Sequence, residues 1–374
     1  MLFIFCTKLT MLILTANIAF RPINQTLSIY SGYALIIMSL ALPFTAIKTP
    51  VNLHVKPSIL CLMLLLIVMA ASYMAAPLVP DMDLLKTLLS FVATYLTIAI
   101  DSQTFTKRDL KDIFNIGKIL SLVYVAYTML PFSFRYTSVN EWGGMAFTLS
   151  MGNPNATAIS VMFCILLLVG DASLSCQRGT RIVDYALAVM LMYTIYLLES
   201  RTVLVCSLVI VLFPFVHKMR IRMSYAYLAI LIPIAAIGLQ LWLAEQETIT
   251  VLGKPLASGR DQLYSQYLEE LSTNSMDYVL GIWGVHKLAN YHNTPLAIIM
   301  NFGMIGLLLY YWFWSYEIKN MITGIGNSAM KKLVIIGVLV YFIHSSAEAA
   351  PMMGSVLYGT ELVISCRLAK DQFT

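Results

Sequence analysis

The chain has 374 residues, 59% hydrophobic and only 11% charged. Soluble domains carry about a quarter charged residues, so most of this chain does not face water. The formal net charge of +5 does not mark a nucleic-acid binder, because the basic residues fall in short connections between apolar runs.

Those runs, roughly 17–22 residues each, recur along the length and match the span of a hydrocarbon core. A backbone in lipid must satisfy its own hydrogen bonds, which makes each run a helix. The short alternating segments of a membrane barrel are absent. The sequence predicts an all-α, polytopic integral membrane protein of about 12 transmembrane helices. Residues 1–374 form a single membrane domain, and residues 245–293 form a long periplasmic loop containing short helices.

Met1 to Phe20 reads as a retained first helix. It lacks a basic leader region and a small-residue cleavage site, and Lys8 interrupts it. The next predicted spans are 27–47, 57–76, 85–101, 113–133, 154–172, 184–199, 202–216, 225–244, 294–315, 333–347 and 353–368. The six cysteines, Cys6, Cys61, Cys164, Cys176, Cys206 and Cys366, lie in or beside apolar runs and read as small packing residues.

Lys and Arg set the orientation. With a cytoplasmic N-terminus, the inner connections hold Lys48, Lys56, Lys107, Arg108, Lys111, Arg178, Arg181, Lys218, Arg220, Arg222, Lys319, Lys331, Lys332, Arg367 and Lys370. The outer side holds Arg21, Arg135, Arg201, Lys254, Arg260 and Lys287, with Lys86 close by. Both termini are therefore predicted to be cytoplasmic, with an even helix count. Positive charge on the outer face runs against the insertion bias, so those few arginines are candidates for a task.

Two outer segments are long: Phe134 to Asn155, with turn signals at Gly143-Gly144 and Asn153-Pro154, and Glu245 to Asn293. In the second, Ser258 and Asp261 resemble a helix cap. Leu263, Tyr267, Leu268 and Leu271 then recur at helical spacing opposite Glu269 and Glu270. A helix lying on the membrane surface or over a cavity mouth is expected there.

Three outer clusters carry chemistry. Glu199-Ser200-Arg201-Thr202 sits between two apolar helices with almost no loop. Arg201 either snorkels to the interface or grips an anion, and a guanidinium suits a pyrophosphate through paired hydrogen bonds. Ser258-Gly259-Arg260-Asp261 offers a second guanidinium, or an ordinary surface pair with Asp261. His286-Lys287 and Tyr291-His292-Asn293 stand at the re-entry into the next apolar run. There an imidazole serves as acid, base or hydrogen-bond donor near neutral pH. An Asp-x-Asp at Asp81-Met82-Asp83 reads as an exposed acidic turn rather than a cation site.

The order of these motifs is similar to that of the O-antigen ligase and polymerase superfamily of bacterial inner-membrane glycosyltransferases. The features are a Ser-Arg-Thr turn, a late outer loop containing Gly-Arg, and a closing His-Asn before Gly303 and Gly306. HNTPLAIIMNFGMIGLLLYY is the nearest stretch, Asn153-Pro154-Asn155 is another, and the resemblance spans roughly residues 150–315. It implies a location in the bacterial inner membrane, a donor glycan on undecaprenyl pyrophosphate handled on the periplasmic side with neither nucleotide nor cofactor, and a chain-length regulator and a flippase as partners. On this basis Arg201 and Arg260 would bind pyrophosphate, and His292 would orient or deprotonate the acceptor hydroxyl. Asn293 would support His292. Arg135, Tyr291 and His286 share the outer face as substrate-binding candidates, although Arg135 matches no motif. A polymerase is preferred to a ligase, and a transporter or lipid-linked oligosaccharide flippase is the rival. Lys118 and Glu348 are the mid-helix ionisable residues that would serve the rival.

Overall fold

The computed structural model describes residues 2–46, 56–75, 82–100, 105–129, 137–139, 145–147, 154–216, 223–244, 250–251, 254–255, 260–272, 275–281, 292–323, 329–348, 352–353 and 356–370. Described residues are overwhelmingly helical. In chain order the helices are α1 (Leu2–Phe20), α2 (Gln25–Ala46), α3 (Pro57–Ala75), α4 (Met82–Ala99), α5 (Lys107–Met129), α6 (Pro154–Leu174), α7 (Arg178–Leu197), α8 (Arg201–Leu212), α9 (Met223–Ala244), α10 (Arg260–Ser272), α11 (Ser275–Leu280), α12 (Thr294–Thr323), α13 (Ala329–His344) and α14 (Val356–Lys370). Two small antiparallel ribbons interrupt them: β1 (Thr137–Val139) with β2 (Met145–Phe147), and β3 (Thr250–Val251) with β4 (Lys254–Pro255).

Each predicted apolar span falls on a helix, and α10 and α11 lie in the late loop. Among the described residues six helices, α1, α2, α6, α7, α9 and α12, are long and apolar enough to cross a membrane. The observed ends differ from the predicted ones where polar residues extend a helix. α5 starts at Lys107 instead of 113 because Thr106 caps it: the Asp109 amide donates to Thr106 Oγ1 at 3.2 Å, while the Thr106 amide and hydroxyl donate to Asp109 Oδ2 at 3.0 and 2.6 Å. Although burial opposes ionisation of Asp109, its bonds to Lys8 and Thr106 prevail and hold its carboxyl at about 2.

α6 is the axis of the bundle. From Ala158 to Val169 its side chains are buried, which an apolar helix achieves only when surrounded by other helices. Peripheral helices instead turn apolar rows outward, such as Ile37 and Phe44 on α2, Val189 on α7 and Leu228 and Leu231 on α9. Water penalises so much exposed apolar surface, and lipid does not.

Ionic contacts tie the end of the bundle where the chain begins, and an aromatic cluster joins three helices further along. Lys8 bridges α1 to Asp109 and Asp112 of α5 at 2.6 Å each. Lys118 joins α5 to Asp171 of α6 at 2.5 Å and to Asp184 of α7 at 2.9 Å. Lys370 of α14 pairs with the buried Glu317 of α12. Arg367 donates to the Thr97 and Ile100 carbonyls and stands over the Phe3 ring at 5.3 Å. The first turn of α1 and the last turn of α14 therefore meet at the same end. Tyr95, Trp314 and Phe342 interlock α4, α12 and α13 in edge-on aromatic contacts.

Candidate functional site

The opposite end of the bundle gathers the starts of several helices. α7 and α8 form a hairpin whose link is only Leu198, Glu199 and Ser200. Closing so short a link forces Glu199 into the left-handed region, with φ 55°, where its amide donates to the Tyr196 carbonyl at 3.0 Å. Arg201 then opens α8, half-buried. Arg260 opens α10 and is also half-buried. It acts electrostatically on Arg201, Tyr264, His344 and Glu348, which places the two guanidinium groups and these side chains in one neighbourhood.

His292 completes the group. It is the other described non-glycine residue with positive φ, at 48°, a conformation worth about 1–3 kcal/mol of strain that persists only where the surroundings impose it. Those surroundings are specific. Asn293 caps α12: its Oδ1 accepts from the Leu296 amide at 3.0 Å, and its Nδ2 donates to the Pro233 carbonyl of α9 at 2.9 Å. Asn293 is fully buried with both ends of its amide engaged, which fixes the start of α12 next to His292. The Thr294 amide donates to the Ser345 carbonyl at 2.9 Å, joining α12 to the end of α13. Tyr264 of α10 is buried, and its hydroxyl donates to the His292 carbonyl at 3.1 Å. Burial pushes the Tyr264 phenol up to about 12, which keeps it a donor at neutral pH.

α10 is the expected loop helix. Leu263, Tyr267 and Leu268 pack on the core and Glu269 is exposed. Ser258 and the Asp261 side chain, the predicted cap, lie outside the described residues, as do the side chains of Asp81 and Asp83. α11 leaves over Gly281, and its end crosses α12 at Gly303, where φ is 63°. A Cβ on Gly303 would lie 2.0 Å from the Val279 carbonyl oxygen, and one on Gly281 would lie 2.5 Å from the Asn301 backbone. The two glycines let the chains touch backbone to backbone, which seats α11 against α12.

The sequence pattern missed the centre of the group as a site residue. His292 Nδ1 lies 3.0 Å from Glu348 Oε1, and Asn155 Nδ2, in the first turn of α6, donates to the same oxygen at 3.1 Å. Glu348 follows the end of α13 and is buried, 3% exposed as a side chain against 37% for His292. Burial alone would raise its carboxyl. The His292 hydrogen bond and the positive charge of Arg260 help outweigh burial and bring it below the ordinary glutamate value. His344 is buried beside it, and neither ring nitrogen has a hydrogen-bond partner among the described residues.

Arg201, Arg260, His292 and Asn293 are thus brought together. Arg135, His286 and Tyr291 fall outside the described residues. α6, α8, α10 and α12 all start in this group, so four helix N-termini add their partial positive charge to two guanidinium groups. The arrangement favours an anion beside a hydrogen-bonded imidazole. α8, α13 and α14, at about 18, 24 and 22 Å by helix rise, are shorter than a hydrocarbon core. Comparison with family models, with curated proteins and with solved structures gives no match to this chain.

Proposed function

We propose that this chain is an inner-membrane glycosyltransferase of about twelve spans that joins undecaprenyl-pyrophosphate-linked repeat units, acting as an O-antigen polymerase on the periplasmic face. The observation carrying the reading is the meeting of Arg201, Arg260 and His292, from three separate segments, at the end of the bundle away from Arg367 and Lys370. Most basic residues lie towards that opposite end, including exposed Lys107, Arg108, Arg178 and Arg181. Under the positive-inside bias this supports an orientation with both termini in the cytoplasm and the candidate site facing the periplasm.

In the proposed reaction the acceptor hydroxyl oxygen attacks the anomeric carbon of the donor sugar. The bond from that carbon to the pyrophosphate oxygen breaks, and polyprenyl pyrophosphate leaves with the electron pair. His292 takes the hydroxyl proton. Arg201, Arg260 and the helix N-termini hold the departing negative charge, which is stronger electrostatics in a water-poor site than in bulk solvent. Lys118, a residue that would serve a transporter, is held by Asp171 and Asp184 and braces three helices.

Deleting the gene in its host and restoring wild type, His292→Ala or Arg201→Ala at matched membrane levels tests the reading. Loss of all but single-repeat lipopolysaccharide in the deletion strain and both variants is the expected result, with transfer reduced about 10²- to 10⁴-fold by loss of the base. Loss of every repeat from lipid A core, with polymer accumulating on the carrier, would show a ligase. An unchanged ladder in the deletion strain would overturn both and return the transporter to the front.

A further inference from the structure

We infer that Glu348 is a positioning residue: with Asn155 it fixes the ring of His292 so that Nε2, not Nδ1, is the nitrogen that works. The role of Glu348 rests on the glycosyl-transfer reading for its consequence but not for its geometry. Three separate parts of the chain meet at one carboxylate oxygen. Asn155 approaches from α6 at 3.1 Å, His292 from the start of α12 at 3.0 Å, and Glu348 itself comes from the link between α13 and α14.

The chemistry follows from the donor and acceptor inventory. An ionised carboxylate only accepts hydrogen bonds, so the imidazole must present N–H at Nδ1 to satisfy it. That leaves the lone pair on Nε2, the nitrogen on the far side of the ring. The exposures agree with this division: Glu348 is enclosed, and more than a third of the His292 side chain reaches the surface. Asn155 can reach the same oxygen only through its amide N–H, which prevents the carboxylate from rotating away without breaking two bonds. The positive φ of His292 then has a purpose, because it turns the ring toward Glu348 while Asn293 starts the helix. The other charged or titratable groups around the pair are Arg260 and Tyr264 from α10, Arg201 from α8, His344 from α13, and Tyr358 from α14 with Arg21 beyond α1. None of them supplies a second carboxylate for Nδ1 among the described residues.

The full chain, labelled with ¹⁵N-histidine and placed in nanodiscs, reports the tautomer directly. The chain has five histidines, and the His292 signal is identified by its loss in His292→Asn. Wild type is expected to show the Nδ1–H form at neutral pH. Glu348→Gln should mix the two forms, since a carboxamide both donates and accepts, and Glu348→Asp should keep the wild-type form. In the host strain Glu348→Gln should lower transfer about tenfold or more, Asn155→Ala should lower it by less, and Glu348→Asp should restore part of it.

A wild-type tautomer and wild-type transfer in Glu348→Gln would overturn the inference while leaving His292→Ala free to uphold the reaction. A tautomer change in Glu348→Gln in a chain whose deletion leaves the glycan ladder intact would uphold the positioning role and overturn the glycosyl-transfer reading. Loss of the folded protein in Glu348→Gln moves the decision to Asn155→Ala and Glu348→Asp, where an unchanged tautomer together with lost transfer would overturn the role.

Discussion

At the residue scale, the two described non-glycine residues with positive φ, Glu199 and His292, both border the candidate site. Such backbone costs on the order of 1–3 kcal/mol and is kept where function or closure demands it. Glu199 stands in a three-residue link where glycine would be relaxed, yet its carboxylate acts on Arg201. Glu199→Gly is therefore expected to raise thermal stability in detergent, by about 1 kcal/mol, while transfer falls. A stability gain with undiminished transfer would assign Glu199 to turn geometry alone. Arg201, Arg260 and His292 were legible as candidates because charge and imidazole are rare in this sequence and lie at ends of apolar runs. Glu348 was legible only as an ionisable group in an apolar region, because its partner lies 56 positions away in sequence. Asn155 had no chemical signal of its own beyond the Asn-Pro-Asn motif.

At the element scale, the loop helices α10 and α11 are held by packing and by two close backbone approaches. Periodicity revealed α10, since Leu263, Tyr267 and Leu268 recur on one face. In the sequence Gly303 and Gly306 fall inside the predicted span 294–315, and the structure makes Gly303 the kink inside the thirty-residue α12, crossed by the end of α11. Gly303→Ala must take a left-handed φ and displace the Val279 carbonyl. It is expected to destabilise this region by roughly 2 kcal/mol or more and to lower transfer even though it touches no reacting group. Protease sensitivity between α10 and α12, compared with wild type in the same nanodiscs, would measure it. An unchanged pattern would mean that α11 is held by other contacts.

At the scale of the whole molecule, the two ends of the bundle differ in kind. One carries the Arg367, Lys370 and Glu317 cluster and the first turn of α1; the other collects helix N-termini around two guanidinium groups. Cys176, exposed in the link between α6 and α7, lies at the first end, and Glu199 lies at the second. In a chain whose other cysteines are replaced, Cys176 should react with an impermeant maleimide only after the membrane is opened. A cysteine at Glu199, in a chain lacking Cys176, should react in intact spheroplasts. The reverse pattern would invert the proposed orientation.

The sequence by itself determined the membrane class and the placement of the apolar helices, because lipid imposes helix length and backbone satisfaction on each segment separately. Charge bias along single loops is the ground for the proposed orientation. Which side chains share a site was decided only by tertiary structure. Asn155, Glu348 and His292 meet through the packing of α6, α12 and the link after α13, and no local propensity encodes a contact between segments so far apart. The left-handed turn at His292 also sits among contacts from Tyr264 and Glu348, far away in sequence, whereas that at Glu199 follows from the three-residue link between α7 and α8.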